Sequence, residues 1–301
     1  MISADSVLRI VSIGEVLWDV FDNSEKLGGA PFNFAVHARR LGHQVAFVSA
    51  VGDDERGRAA LTRASELGLR PDFIQVVAGA ATGTVLVHLD SSGQPDFTIR
   101  RPAAYDALRL EPADLRRLAA IEPDWLYYGT LHQAQPAARA ETWKLVEALP
   151  GAKRFYDINL RRHCYTPELI AKLMATAHVV KLNDDEAVAV DSMFGPRHDS
   201  LSEFTEFWSR KFGWTAVVVT RGPRGCAIRI GGDYAEPPGY TVRVADTVGA
   251  GDAFAAAFLH GLAQGWGAAR TGDFANRVGA VVASRPGGVS MWSMEDCYNL
   301  E

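Results

Sequence analysis

The 301-residue sequence contains three cysteines, Cys164, Cys226 and Cys297, far apart and without a CxxC pair. A disulfide framework is therefore excluded, and a reduced, cytoplasmic chain with buried thiols is expected. Its eight histidines show no HxxxH spacing, so no zinc site is expected. Positive charge is not in excess: 31 Lys and Arg stand against 36 Asp and Glu, a net charge of −5. Nucleic acid, a polyanion, would be repelled rather than bound. No run of about 18 apolar residues is present, so no membrane partner is expected. The N-terminal stretch is apolar only in part. Asp5, Arg9 and Glu15 interrupt it, which argues for a first core strand over a signal peptide. Internal repeats and low-complexity tracts are missing too.

What the sequence does have is alternation. LRIVSIG, QVAFVSAVG, WLYYGT, KRFYDIN, HVVKLN and TAVVVTRG read as strands. Between them, FNFAVHARRLG, RGRAALTRASELG, PAARAETWKLVEAL, TPELIAKLMATA and LSEFTEFWSRKFG carry apolar residues at helical spacing, and Gly42, Gly68 and Gly213 are placed to end helices. This pattern predicts one α/β domain over residues 1–301, a mostly parallel sheet with helices on both faces. The continuous apolar run AVVVT fits a central strand buried on both sides. One segment departs from the rhythm. TGTVLVHLDSSGQPDFTIRR, Thr82–Arg101, reads as two strands joined at Ser91–Ser92–Gly93 with no helix between them. With the stretch around Trp18–Lys26, it is either a lid over a site or an edge hairpin.

The stretch DTVGAGDAFAAAF, Asp246–Phe258, is where chemistry concentrates. Gly249 and Gly251 permit backbone angles and close approach that a Cβ would forbid. DAFAAAFLHGLAQG follows as a helix beginning near Gly251–Asp252, and its unpaired N–H groups and positive dipole end favour an anion such as phosphate. A carboxylate beside a phosphate is repelled, so Asp252 makes sense if it faces a neutral hydroxyl and takes its proton. The competing reading is a helix N-cap, a common use of Asp worth about 1 kcal/mol. Neither usual phosphate loop applies. GxxxxGK[ST] is absent, and Gly249-Ala250-Gly251 lies near the C-terminal end with Phe254 at the third glycine position of a dinucleotide fingerprint.

DTVGAGDAFAAAFLHGL resembles the C-terminal signature of the ribokinase-like (PfkB) sugar kinases, and LGGAPFNFAVHARRLGHQVAFVSAVGDDERG resembles their N-terminal one. DINLRRHCY, KLNDDEA and TRGPRGCAI are similar to the D-x-N-x-R, K-x-N-x-x-E and T-x-G-x-x-G segments of fructokinase-like members. The five occur in the family's order over residues 14–290. The resemblance implies a three-layer α/β/α fold of ribokinase type, with a mostly parallel sheet and a small β lid from about 16–30 and 82–101. It implies Asp252 as general base and the amides of Gly249, Ala250 and Gly251 as anion hole. It further implies ATP with magnesium, organised by Asn183 and Glu186, often through water. Asp184 and Asp185 then remain ordinary acids at a helix start.

By the same resemblance, Thr220, Gly222 and Gly225 meet the nucleotide, and Asn276 falls where relatives line the adenine pocket. Asp246, with Val248, Val282, Arg285 and Gly287, lies where relatives bind a monovalent cation, so potassium is expected. On the sugar side the implied residues are Asp19, Gly28, Gly29, Asn33, Asp157, Asn159 and Arg161. Arg161 is open between a phosphate, an acidic substrate and Asp157. Arg101 and Asp106 fit the fructokinase pattern R-P-G-x-A-D-x-x-L, but Ala103 replaces its glycine and Tyr105 a small residue, so a phenol either intrudes on the pocket or adds a contact. Fructose is the expected acceptor. Kinases of 2-keto-3-deoxygluconate or other carbohydrates, nucleoside kinases and a non-catalytic sugar-binding protein are the alternatives. A homodimer through the lid is expected, since exposed strand edges favour covering.

Overall fold

A computed structural model describes residues 6–89 and 95–300. In chain order its strands are β1 (Arg9–Ile13), β2 (Leu17–Phe21), β3 (Ser24–Gly28), β4 (Gln44–Gly52), β5 (Ile74–Val77), β6 (Gly83–Leu89), β7 (Pro95–Arg100), β8 (Trp125–Gly129), β9 (Lys153–Asp157), β10 (Val179–Asn183), β11 (Ala216–Thr220), β12 (Cys226–Ile230) and β13 (Asp233–Ala235). The helices are α1 (Ala30–Arg40), α2 (Glu55–Glu66), α3 (Pro112–Ala119), α4 (Pro136–Ala148), α5 (Pro167–Thr176), α6 (Asp184–Phe194), α7 (Leu201–Phe212), α8 (Ala250–Ala263), α9 (Ala268–Ala283) and α10 (Met294–Tyr298).

Nine strands form one sheet in the order β13-β12-β11-β10-β9-β8-β1-β4-β5. Pairing is parallel from β11 to β5, and β12 and β13 add an antiparallel edge. Side chains alternate across it. In β11, Val217 and Val219 join one core layer with Leu169 of α5, Val190 of α6 and Trp208 of α7. Ala216 and Val218 join the opposite layer with Phe34 of α1, Phe258 of α8 and Phe274 of α9. A parallel strand covered by helices on both faces must be apolar on both. All six strands read from sequence lie in this sheet, and α1, α2 and α7 run into Gly42, Gly68 and Gly213, each at positive φ. Cys226 and Cys297 are buried, whereas Cys164 is only half-buried, packed at the edge of a smaller apolar cluster.

The second sheet has the order β3-β2-β6-β7: β2 runs antiparallel to β3 and parallel to β6, and β6 antiparallel to β7. The two strands expected within Thr82–Arg101, and a partner around Trp18–Lys26, are thus present. The expected turn at Ser91–Ser92–Gly93 lies outside the described residues. Among the described residues, no helix is long and apolar enough to cross a membrane.

The chain leaves β1 for β4 and β5 on one side, then returns to build β8 to β11 on the other. A crevice outside the carboxyl ends of the strands at such a reversal is where open α/β sheets bind ligands. Two helix N-termini converge there. Gly29 precedes α1 with φ 114°, and a Cβ on it would lie 2.5 Å from the Glu15 carbonyl oxygen. Gly249 precedes α8 with φ 77°, and its Cβ would lie 2.3 Å from the Gly288 carbonyl oxygen. Both turns are closed to any side chain.

Candidate active site

A cleft of about 370 Å³ opens at this reversal, between the strand ends and the small sheet. Asp19, Gly29, Asn33, Asn159, Arg161, Asn183, Thr220, Val248, Gly249, Gly251 and Asp252 all line it. The structure thus gathers residues more than 230 positions apart in sequence, as the motif reading expects.

Asp252 is the third residue of α8, only 8% exposed, and Gly249 rather than Asp252 is the N-cap. The capping reading therefore gives way. Its Oδ2 accepts a hydrogen bond from Asn33 Nδ2 at 2.8 Å. Burial pushes its pKa up to about 6, with the Lys181 ammonium pulling the other way. A carboxylate poised near working pH suits a proton acceptor. Gly249 and Gly251 face the cleft, but Ala250 turns its N–H to the Thr247 carbonyl at 3.3 Å, so the expected set of three amides is reduced to two.

Asp157 departs from expectation. It is fully buried and takes both contacts of Lys181 Nζ, at 3.1 and 3.0 Å, plus the Tyr127 hydroxyl at 3.0 Å. A buried carboxylate needs a cation and donors around it, and Lys181 of β10 supplies them from the neighbouring strand. Arg161 is therefore not its partner; it is exposed at the cleft and makes one 3.4 Å contact to the Leu160 carbonyl. Lys181 itself lines the cleft, and a Cβ on Gly251 would lie 3.3 Å from its ammonium. Burial disfavours that ammonium, but Asp157, Glu186 and Asp252 outweigh the effect and raise its pKa. Sequence reading placed Lys181 inside K-x-N-x-x-E without a role, and only the fold shows it beneath the glycine turn.

At the other end, Asp19 is 9% exposed, and burial, with Asp246 adding, raises its pKa to about 6. A Cβ on Gly28 would lie 3.2 Å from Asp19 Oδ2, so this glycine clears the carboxylate. Asn159 holds a left-handed φ of 38°, which Asn tolerates better than most residues. Sequence reading missed Glu15, which is 3% exposed and whose pKa burial raises to about 7. Two buried acceptors on this wall, Glu15 Oε2 and Asn33 Oδ1, have no hydrogen-bond partner. Of the twelve such atoms among the described residues, these two alone belong to residues that line the cleft. Leu17, Val85, Ile99 and Leu131 supply the apolar wall. Arg101 and Asp106 do not line the cleft. They form a buried ion pair with each other, and Arg101 also donates to the Leu131 carbonyl at 3.0 Å, holding the wall from behind. Tyr105 is fully buried in the apolar cluster against Leu17, Val85 and Leu131, so it backs the wall without intruding.

Toward the expected nucleotide end, Asn183 and Glu186 form a reciprocal capping box on α6. Asn183 Oδ1 accepts the Glu186 N–H, and Glu186 Oε2 accepts the Asn183 N–H, both at 2.8 Å. Glu186 Oε1 takes the Leu160 N–H at 2.7 Å, and burial raises its pKa despite Lys181. Among the described residues no group of three or more His, Cys, Asp or Glu is gathered as a metal cage. A sparse donor set of this kind fits magnesium, which keeps waters and phosphate oxygens as ligands. Gly222 and Gly225 shape the turn between β11 and β12 at φ 57° and 88°. The Asn276 amide is spent on the Pro237 and Pro238 carbonyls, at 3.2 and 3.0 Å, so it fixes the segment facing that turn. Asp246 is paired with Lys26 at 2.7 Å.

The chain belongs to the pfkB family of carbohydrate kinases, whose family profile matches residues 5–295. It is therefore a sugar kinase, a phosphotransferase with an alcohol group as acceptor. It is 30% identical over 268 residues to a fructokinase of Klebsiella pneumoniae, covering 85% of this chain and 84% of that one. A fructokinase of Vibrio cholerae, solved with fructose, ADP and potassium, superposes with a TM-score of 0.82 at 23% identity over 99% of both chains. A 2-dehydro-3-deoxygluconokinase of Thermotoga maritima gives 0.84 at 18% identity, covering 97% of this chain and 98% of that one. The fold is that of the ribokinase-like kinases.

Removing one partner of a buried ion pair strands the other, at about 3–5 kcal/mol. Lys181→Met is expected to lose that much stability in urea unfolding. A variant as stable as the parent would show that Asp157 does not depend on this ammonium.

Proposed function

We propose that the protein transfers the γ-phosphate of ATP to fructose, giving fructose 6-phosphate. The observation that carries a polyhydroxyl acceptor is the pair of unpartnered buried oxygens, Glu15 Oε2 and Asn33 Oδ1, beside Asp19 and Asp252. Each asks for an O–H donor, which a sugar supplies several times over. The fructokinase relative and the fructose bound in the Vibrio cholerae protein support fructose among sugars.

In this reading Asp252 takes the proton of the attacking hydroxyl. The Gly249 and Gly251 amides and the N-terminus of α8 stabilise charge growing on the phosphoryl oxygens. Asn33 orients the carboxylate through its 2.8 Å hydrogen bond. Lys181 opposes the effect of burial, which raises the carboxylate's pKa to about 6. Asp19, Gly28, Gly29, Asn159 and Arg161 surround the sugar. Thr220, Gly222 and Gly225 border the nucleotide, with Asn276 behind them. Magnesium, held through water by Glu186 and Asn183, would neutralise phosphate charge. The small sheet serves as a lid that excludes water.

A second reading has one observation in its favour. Arg161 is an exposed cation at the cleft, suited to the carboxylate of 2-keto-3-deoxygluconate.

Magnesium-dependent ADP release measured across ketoses, aldoses and keto-deoxy acids is expected to be greatest with fructose. Dominance of the keto acid would move the assignment to the second reading. A sugar that raises the Tm without turnover would favour a binding protein. Asp252→Asn is expected to lower kcat by about 10²–10⁴ while nucleotide binding persists. For the parent enzyme, kcat is expected to fall as pH drops below about 6, where Asp252 becomes protonated; a flat acid limb would remove the base. The outer face of the lid is proposed to pair with a second copy. A monomer by light scattering would count against that homodimer.

A further inference from the structure

The residues at Asp246 do not fit a dissolved monovalent ion. Asp246 Oδ2 already accepts from Lys26 Nζ at 2.7 Å and from the Gly287 N–H at 3.0 Å, and Oδ1 accepts from the Val248 N–H at 3.0 Å. Burial tends to raise its pKa, but these donors prevail and hold the carboxyl below the ordinary value, so it is ionised. Two of the carbonyls expected around an ion each already accept one hydrogen bond, leaving a single lone pair apiece. The Val282 oxygen accepts the Arg285 N–H at 3.0 Å, and the Gly287 oxygen accepts the Ser290 N–H at 3.2 Å. A carboxylate closed by an ammonium has no net charge to offer, and a second cation would meet Lys26 at short range. The other cation nearby, Arg285, is turned to Asp296 at 2.8 Å.

Lys26 reaches this point from a distant part of the chain. It lies on β3 of the small sheet, directly opposite Asp19 in the β2–β3 ladder, with its ammonium 5.1 Å from the centre of the Phe21 ring. What it grips bears on the phosphate-facing turn. Asp246 joins the Thr247–Gly249 turn, through Val248, to the Pro286–Gly288 loop, through Gly287. That loop is packed against Gly249 so closely that a Cβ there would lie 2.3 Å from the Gly288 oxygen.

We propose that the Lys26 ammonium replaces the dissolved monovalent cation at Asp246, so that the turn bearing Gly249 and Gly251 is set by a charge carried on the small sheet. The inference rests on the phosphotransfer reading of the cleft. It sets this chain apart from the Vibrio cholerae fructokinase solved with potassium. Lys26 and Asp19 share one rung, so the strand pair that presents Asp19 to the acceptor also holds the ammonium on Asp246. The anion-binding turn then needs no outside ion.

The test compares potassium, sodium and tetramethylammonium chlorides at equal ionic strength. Wild-type turnover is expected to vary by less than about twofold among them, and Lys26→Met to lose about tenfold or more in tetramethylammonium, with potassium restoring most of the loss. An activity-independent arm measures Tm with ADP present: potassium should raise that of Lys26→Met and leave the parent unmoved. Lys26→Gln gives the same comparison should the Met variant fail to fold. The proposal is overturned by a wild type that needs potassium, by a Lys26 variant as active as the parent without it, or by a loss equal in all three salts. If no sugar supports turnover, the kinase reading fails, and the Tm arm alone decides the role of Lys26.

Discussion

Everything at the cleft follows from burying the Asp252 carboxylate without neutralising it. Burial alone drives such a group toward its protonated form, which cannot accept a proton. Two neighbours oppose this: the Lys181 ammonium, rising from β10, and the Asn33 amide, entering from α1 at 2.8 Å. Lys181 is itself buried and needs Asp157 of β9 as its counter-charge. The order Asp157, Lys181, Asp252, Asn33 thus crosses two strands and two helices. A change in their spacing would alter a charge balance and not merely a contact.

The same arrangement leaves an excess of acid. Glu15, Asp19 and Asp252 all hold their protons more tightly than free carboxyls, with pKa values raised to about 7, 6 and 6. Groups shifted this way contribute stability that is complete below their unfolded values and lost as pH rises through 6 and 7. Near neutrality the ionised forms of these carboxylates are therefore destabilising to the fold. In the proposed reading, sugar hydroxyls would donate to the unpartnered acceptors Glu15 Oε2 and Asn33 Oδ1.

Much of this was legible from residues alone where one local rule governs. The parallel strands announced themselves as apolar runs, and the glycines at 42, 68 and 213 stopped helices because φ turns positive there. Asp19, Asn33, Asn183, Thr220 and Asp252 were found through motifs and do meet at one cleft. What stayed hidden depends on three-dimensional neighbours. Asp157 reads as a site carboxylate until Lys181 is seen to occupy it. Glu15 looks like a polar interruption after β1, and its unpartnered oxygen emerges only once α1 closes over it. The family resemblance implies ligand contacts for Asn276 and the Arg101–Asp106 pair, but the Asn276 amide is spent on the Pro237 and Pro238 carbonyls and the ion pair is closed on itself. The strands β12 and β13 and the helix α9 escaped notice because motif glycines and short polar breaks obscured their periodicity.

The position of Lys26 bears on a hazard every kinase faces, transfer of phosphate to water. Such transfer is suppressed if the groups that stabilise the phosphoryl oxygens are ordered only when the proper acceptor is bound. A dissolved ion at Asp246 would order the turn whether or not sugar were present. In the proposed arrangement the ammonium is instead borne by the ladder that presents Asp19 to the acceptor, so the order of the turn is tied to the placement of that sheet. Acceptor recognition and phosphate stabilisation are then two ends of one ladder rung.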